Sequence, residues 1–257
     1  SKGEPTGALF GLSTMLLRMI ELFKPDYIMA CFDLPKPTYR HEAYDGYKAG
    51  RKKAREKSDL DWTVIFEVLD EVRSDLRTIF PYKVIEVERA EADDVIGTLV
   101  PRISAHEPVM IVSADGDFKQ LHQYPNVKQY NQMLGVFVKC DNPQLELKEK
   151  ILTGDAGDGI PNILSNDDVF VLGIRQNRLT AKKKEGIITE DFNNQNLEHY
   201  RNIQRNKLLI DLTNTPQDIK DAIVEQYEAP KQGNRQLMMK YFIEKKLVKL
   251  LEVIDEF

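Results

Sequence analysis

A chain of 257 residues, 42% hydrophobic and 30% charged, has the size and composition of one full α/β domain with a smaller appendage, and is neither a disordered nor a fibrous protein. Two cysteines, Cys31 and Cys140, and four histidines exclude a zinc finger and a disulfide framework and point to a reducing compartment. The net charge of -5 conceals an asymmetry, because residues 36–57 hold eight Lys or Arg against three acids.

The chain opens on Ser1-Lys2-Gly3-Glu4-Pro5 with no initiator methionine and no leader pattern, so a further segment upstream of Ser1 is expected. Ala8–Phe23 carries its apolar residues at helical spacing, interrupted by Arg18 and Glu21, and reads as an amphipathic helix rather than a membrane span. Tyr27–Phe32, Lys83–Val87, Val109–Val112 and Val127–Tyr130 read as strands, with Val136–Val138 a short further one. Helical spacing over Leu60–Ile79 and Glu91–Ile103 separates the first three. Strand, helix, strand, helix, strand predicts an α/β fold with a mostly parallel central sheet flanked by helices. Beyond residue 145 helical patterns take over, as in Leu145–Leu152 and Leu237–Ile254. Lys182–Gly186 and Asn193–Asn196 read as polar loops. The expected domains are residues 1–150, α/β, including the basic segment, and 151–257, mainly helical.

In an open parallel sheet the ligand crevice lies outside the carboxyl ends of the strands. Acids follow three of them: Asp33 after the first, Glu91, Asp93 and Asp94 after the second, and Asp115 and Asp117 after the third. Singly, each has an ordinary explanation, since acids favour a helix N-terminus and Asp with Gly suits a turn. Six like charges on one rim, however, repel unless a cation binds between them. Oxygen donors without His or Cys select Mg²⁺, with Mn²⁺ able to substitute, over Zn²⁺. The Gly-rich segment Gly154–Asn162 adds Asp155 and Asp158, candidates for a second ion. Two ions about 4 Å apart suit in-line attack on a phosphodiester. The basic segment would then hold the polyanion, with Tyr39, Tyr44 and Tyr47 interleaved among Arg40, Lys48, Arg51, Lys52, Lys53 and Arg55 in a mixture that suits phosphates and stacked bases.

Phe32-Asp33, Arg40 with Tyr47-Lys48-Ala49-Gly50-Arg51, Glu91-Ala92-Asp93-Asp94, Ser113–Phe118 and Gly154–Asn162 together resemble the 5′-nuclease superfamily of flap endonucleases and 5′-exonucleases. Pro81-Tyr82, Gln120–Gln129 and Ile254–Phe257 are most similar to the ribonuclease H type of the T-even phages. The resemblance implies a PIN-like fold with a helical arch over the site, about residues 36–57, and a C-terminal domain that binds duplex. It implies a first metal among Asp33, Glu91, Asp93, Asp94 and Asp115, and a second toward Asp117, Asp155 and Asp158. Lys48 and Arg51 would contact the scissile phosphate as catalytic groups beside Asp115, Tyr47 would stack on the end base, and Arg40 would help to hold the strand.

It further implies removal of RNA primers and adjacent DNA at 5′ ends and flaps of lagging-strand duplex in phage replication. Substrates would be flapped DNA duplex and RNA/DNA hybrid, partners a single-strand-binding protein and a sliding clamp, the state a monomer, and the setting the host cytoplasm. Two departures are evident. Family members begin with a strand ending in a metal-binding Asp, and Ser1–Gly7 resembles the stretch just after that strand, so the alternative is a structure-specific DNA-binding module that does not cut. After Pro161, the Gly-x-Gly hairpin of many relatives is replaced by Asn162–Asp168, leaving Lys182, Lys183 and Lys184 as candidate duplex contacts. A Mg²⁺ phosphatase built on Asp115 and Asp117 would account for the acids but leaves the basic segment idle.

Overall fold

The computed structural model describes residues 6–189 and 196–257, apart from the side chains of residues 6, 8, 9 and 52–54. In chain order the elements are α1 (Thr6–Phe23), β1 (Met29–Cys31), α2 (Tyr39–Ala43), α3 (Gly50–Glu56), α4 (Trp62–Thr78), β2 (Lys83–Ile85), α5 (Ala92–Ser104), β3 (Val109–Val112), β4 (Val127–Asn131) and β5 (Val136–Val138). They continue as α6 (Pro143–Thr153), α7 (Ala181–Thr189), α8 (Leu197–Ile210), α9 (Gln217–Glu228), α10 (Arg235–Glu244) and α11 (Val248–Leu251). The chain divides into two compact units, one of residues 1–32, 59–86 and 225–257, the other of residues 33–58 and 87–224.

In the first unit β1 and β2 pair in parallel, Met29 opposite Lys83. Their side chains join a core of Val72, Leu76 and Phe80 with Met238, Phe242 and Phe257. Phe80, Phe242 and Phe257 meet edge to face with centroids 5.7 to 6.2 Å apart, the geometry aromatic quadrupoles favour. Asp61 starts α4 by accepting from the backbone N–H of Thr63 and Val64. The pattern expected to run as one helix over Leu237–Ile254 is broken at Lys246, whose φ is +55°. There Leu247 N–H donates to Phe242 O and Lys246 N–H to Ile243 O, a Schellman ending that satisfies the last carbonyls of α10.

In the second unit β3 and β4 are parallel, and β5 closes onto β4 antiparallel. Parallel pairing is thus present in both units, in ladders of three and four residues. Ile111, Phe118, Leu121, Val100 and Leu212 form one core. A second gathers Tyr44 and Tyr47 with Ile151, Leu152, Ile160, Ile163, Ile203 and Leu209. Asn142 caps α6 and Pro143 opens it, which places Lys150 in its last turn, ahead of Gly154. Lys182–Gly186, read as a loop, lies in α7, because Ile187 supplies a buried anchor and the Thr180 hydroxyl accepts from Lys183 N–H at 3.3 Å. Of the other expected loop, residues 193–195 lie outside the described residues, and Asn196 caps α8.

Candidate active site

Helix α5 begins with a reciprocal cap in which Glu91 occupies the capping position and its N–H donates to Asp94 Oδ2 at 2.8 Å. Asp94 has no exposed surface. Arg40 grips it with two bonds, Nη1 to Oδ2 at 2.6 Å and Nη2 to Oδ1 at 2.8 Å. Thr215 Oγ1 donates to the same carboxylate at 2.9 Å and Tyr39 OH at 3.2 Å. Arg40 Nε donates to Leu209 O at 2.8 Å, and Nη1 also lies 3.7 Å from Glu91 Oε2. Burial works against the Arg40 charge, and Asp94 outweighs it, so the guanidinium pKa is raised. Two of the sequence expectations are thereby corrected. Arg40 is a buried partner of Asp94 rather than an exposed strand-holding cation, and Asp94 is set apart from the other acids, because both are sealed in the interior and the Asp94 oxygens are filled by Arg40, Thr215, Tyr39 and the Glu91 N–H.

Glu91 faces the other way. Its Oε2 accepts from Tyr47 OH at 2.8 Å and its Oε1 from Lys48 Nζ at 2.7 Å. Tyr47, expected to stack on a base, is 3% exposed and packs in the core, so that reading is corrected too. Burial and the Glu91 charge both push its hydroxyl pKa up, keeping it a donor. Tyr39 and Tyr44 are likewise buried, so the interleaved tyrosines pack the base of the basic segment instead of its surface. Lys48 adopts φ +54°, and its N–H donates to Asp158 O at 2.8 Å while Arg51 Nη2 pairs with Asp158 Oδ1 at 2.6 Å. Arg51 and Arg55 are exposed on α3; the side chains of Lys52 and Lys53 lie outside the described residues.

Asp93, next along α5, has no such relief. Burial and the charges of Asp115, Glu91, Asp117 and Asp33, in that order, push its carboxyl up to about 7. Asp33 is held beside it by accepting Ala92 N–H at 2.7 Å. The turn after β3 is fixed by Asp115 Oδ1, which accepts Asp117 N–H at 2.9 Å. Below it Gln120 Nε2 donates to Asp117 O at 2.9 Å and to Ile210 O at 3.2 Å.

Lys150, which the sequence reading overlooked, pairs with Asp117 and lies 3.0 Å from Asp155 Oδ2. Burial pushes Asp117 up although Lys150 pulls it down. Lys150 could have been found from its place in the last helical turn, five residues before Asp155.

The Gly154–Asn162 segment is a tight loop in which Asp155 and Ile160 exchange both backbone bonds, at 2.8 and 2.7 Å. Asp155 Oδ1 accepts Gly157 N–H at 2.8 Å. Gly154 and Gly159 both have positive φ, and a methyl group at Gly159 would lie 2.4 Å from Gly46 O, so this loop and the basic segment approach at backbone distance only because Gly stands there. From α8, Asn206 Nδ2 donates to Ile151 O and Pro161 O at 2.7 and 2.9 Å, and Asn202 Nδ2 to Ile163 O at 2.9 Å. Lys182 and Lys183 are exposed on α7, whereas Lys184 lies 3.9 Å from Glu149.

Among the described residues no three His, Cys, Asp or Glu side chains are gathered tightly enough to grip an ion as they stand. Lys48, Arg51 and Lys150 instead neutralise Glu91, Asp158, Asp117 and Asp155. The donor chemistry nonetheless fits a divalent cation: the ligands are hard oxygens, and the repulsion concentrated on Asp93 is what a bound cation relieves.

Residues 1–151 match the family model described as 5′-3′ exonuclease, N-terminal resolvase-like domain, and residues 141–257 match that described as T4 RNase H, C terminal. The chain belongs to the 5′-3′ exonuclease family. Ribonuclease H of Enterobacteria phage T4 is 34% identical over 241 residues, covering 90% of this chain and 79% of that protein. DNA polymerase I of Bacillus subtilis (strain 168) is 30% identical over 177 residues, 63% of this chain but only 19% of the polymerase. Among solved structures, the T5 5′-exonuclease with bound divalent zinc ions superposes with a TM-score of 0.64 at 17% identity, covering 88% of this chain and 91% of that one. Another T5 structure, of a flap endonuclease, is a pseudo-enzyme–product complex with DNA and metal ions. The α/β architecture expected from the strand and helix order, and the PIN-like fold that the resemblance implies, are therefore those of the family, and the exonuclease resemblance in the motifs is a family membership.

Proposed function

We propose that this member of the family hydrolyses phosphodiesters at 5′ ends and flaps, removing RNA primers and adjacent DNA from lagging-strand duplex during phage DNA replication. The observation that carries the reading is the like-charged carboxylate group around Asp93, faced by Lys48 and Arg51 of the basic segment. An all-acid site deters a polyanion, and cations that both offset the acids and hold phosphate are what cleavage of nucleic acid requires. Two Mg²⁺ ions, with Mn²⁺ able to replace them, would supply an activated water and a charge for the leaving oxygen. Asp33, Glu91, Asp93 and Asp115 would hold one of them, and Asp117, Asp155 and Asp158 the other.

Lys48 then exchanges Glu91, and Arg51 exchanges Asp158, for the scissile phosphate. Arg55, with Lys52 and Lys53, extends the cationic track, and Lys182 and Lys183 contact duplex from the proposed C-terminal domain of residues 151–257. The chain acts as a monomer in the infected host's cytoplasm, with a single-strand-binding protein and a sliding clamp as partners. Among the described residues no helix is long and apolar enough to cross a membrane.

The test is Mg²⁺-dependent cleavage of a 5′-labelled flap and of an RNA-primed duplex. Asp115→Asn is expected to abolish turnover while sparing binding, and Lys48→Ala to slow cleavage with a modest loss of affinity. Cleavage by Asp115→Asn at the unmodified rate would refute the assignment. Binding without turnover by the unmodified chain would favour the non-cutting module.

A further inference from the structure

Gln129 places a primary amide at the centre of β4, where it is opposite Ile111 in β3 and Val138 in β5 and has no exposed surface. Burying an amide without partners is costly, and an apolar side chain would fill the position without that cost. Every polar atom of the amide is engaged. Nε2 donates to Ser113 O at 3.0 Å and to Asp115 O at 2.7 Å, and Oε1 lies 3.2 Å from His122 Nε2. With Nε2 donating twice, Oε1 is the acceptor, so His122 presents its Nε2–H and fixes the orientation of the amide.

The two carbonyls are the ends of one short step of chain. Ser113 follows β3, and its N–H still donates to Tyr130 O, while its hydroxyl accepts Asp115 N–H at 3.1 Å. Asp115 in turn caps Asp117. By holding Ser113 O and Asp115 O on one nitrogen, Gln129 sets the backbone from which the Asp115 carboxylate projects beside Asp93. We propose that Gln129, oriented by His122, is a positioning residue that holds Asp115 in register with the other acids. The proposal deepens the function above and rests on reading Asp115 as a cation-holding acid.

The experiment compares the full chain with Gln129→Met, His122→Ala, His122→Gln and Asp115→Asn. Binding of Mn²⁺ without substrate is measured by the resonance of the free ion, and kcat and KM are measured separately on a labelled flap. Groups that support metal-holding side chains are worth about 10–100-fold in metal affinity or activity. Gln129→Met is expected to lose that much in Mn²⁺ affinity and kcat, with KM for the flap and the cooperativity of melting retained. His122→Ala should lose less in the same two quantities, and His122→Gln, which still offers an N–H to Oε1, should recover them.

A folded Gln129→Met with Mn²⁺ affinity and kcat within about twofold of the unmodified chain, well inside the expected range, overturns the proposal. Where Gln129→Met fails to fold, the histidine pair decides, and unchanged values in His122→Ala or no recovery in His122→Gln overturn it. Undiminished cleavage by Asp115→Asn would overturn the reading of the acid and this proposal with it. Loss in Asp115→Asn beside an unchanged Gln129→Met overturns this proposal alone.

Discussion

Asp93 and Asp94 are neighbours on the first turn of α5, yet one faces like charges and the other an arginine. Around Asp94 every oxygen is answered by Arg40, Tyr39, Thr215 or the Glu91 N–H, and the group is sealed from solvent. Around Asp93 burial and the charges of Asp115, Glu91, Asp117 and Asp33 all disfavour its ionised form. The difference separates scaffold from site within one acidic motif. The first region has the complete hydrogen bonding of a structural pair; the second keeps an unresolved repulsion, which an ordinary core would not retain and a cation site needs.

Removing the scaffold partner should have the largest effect. Arg40→Ala leaves Asp94 charged, buried and without its main partner, which typically costs about 3–5 kcal/mol. Thermal melting should show a fall of many degrees, and Arg40→Lys should not restore it, because one ammonium cannot replace two parallel bonds to Asp94 and a third to Leu209 O. Melting within a degree of the unmodified protein would place Arg40 in the site after all.

Neutralising the site should do the opposite. Asp93 has a folded pKa raised to about 7 from 3.8, so its ionisation destabilises the metal-free fold as pH rises through that window. Asp93→Asn should therefore melt higher than the unmodified chain by about 1–3 kcal/mol above pH 7, with the advantage vanishing toward pH 4, while cleavage is lost. An unchanged or lower melting point at pH 8 without metal would show that Asp93 is not under like-charge stress.

Much of this contrast was legible in the sequence, and the part that was hidden has a physical cause. Strand-then-acid order located Asp33, Glu91, Asp93, Asp115 and Asp117, because in a parallel sheet the residue after a strand lies at one edge by topology alone. The Gly154–Asn162 loop was legible because the backbone approaches at Gly154 and Gly159 leave no room for a Cβ, which only Gly satisfies. Direction of burial was not. Alternation of Tyr39, Arg40, Tyr44 and Tyr47 looks the same whether it lines a nucleic-acid track or packs beneath one, and only the long-range partners, Asp94, Leu209 and Glu91, decide it. Lys150 was missed in part for the same reason, since one of its two partners, Asp117, is thirty-three residues away, although the other, Asp155, is only five residues on.

That lysine gives a smaller prediction. Lys150→Met removes the cation shared by Asp117 and Asp155, and two partly buried carboxylates then face each other without it. The expected loss is about 1 kcal/mol in metal-free melting, more at low salt than at high. A divalent ion no longer competes with the ammonium, so added Mg²⁺ should raise the melting temperature of this variant by more than it raises that of the unmodified chain. Equal shifts would mean that Lys150 and the ion do not share these acids.

The smallest effect is expected at the exposed end of the basic segment, and it sharpens the same contrast between scaffold and working surface. Lys57 is exposed at the end of α3, whereas Lys48 is largely buried against Glu91. An exposed cation contributes to nucleic-acid binding through counterion release, a term that carries no geometry and fades with salt. Lys57→Ala should thus leave melting and saturated turnover unchanged, weaken flap binding by a few-fold, and lower the slope of log affinity against log salt by about one. A change in saturated turnover in that variant would extend the geometrically defined site past Arg51 along the whole of α3. An unchanged salt slope would end the nucleic-acid surface before Lys57 and leave the work to Lys48, Arg51 and Arg55.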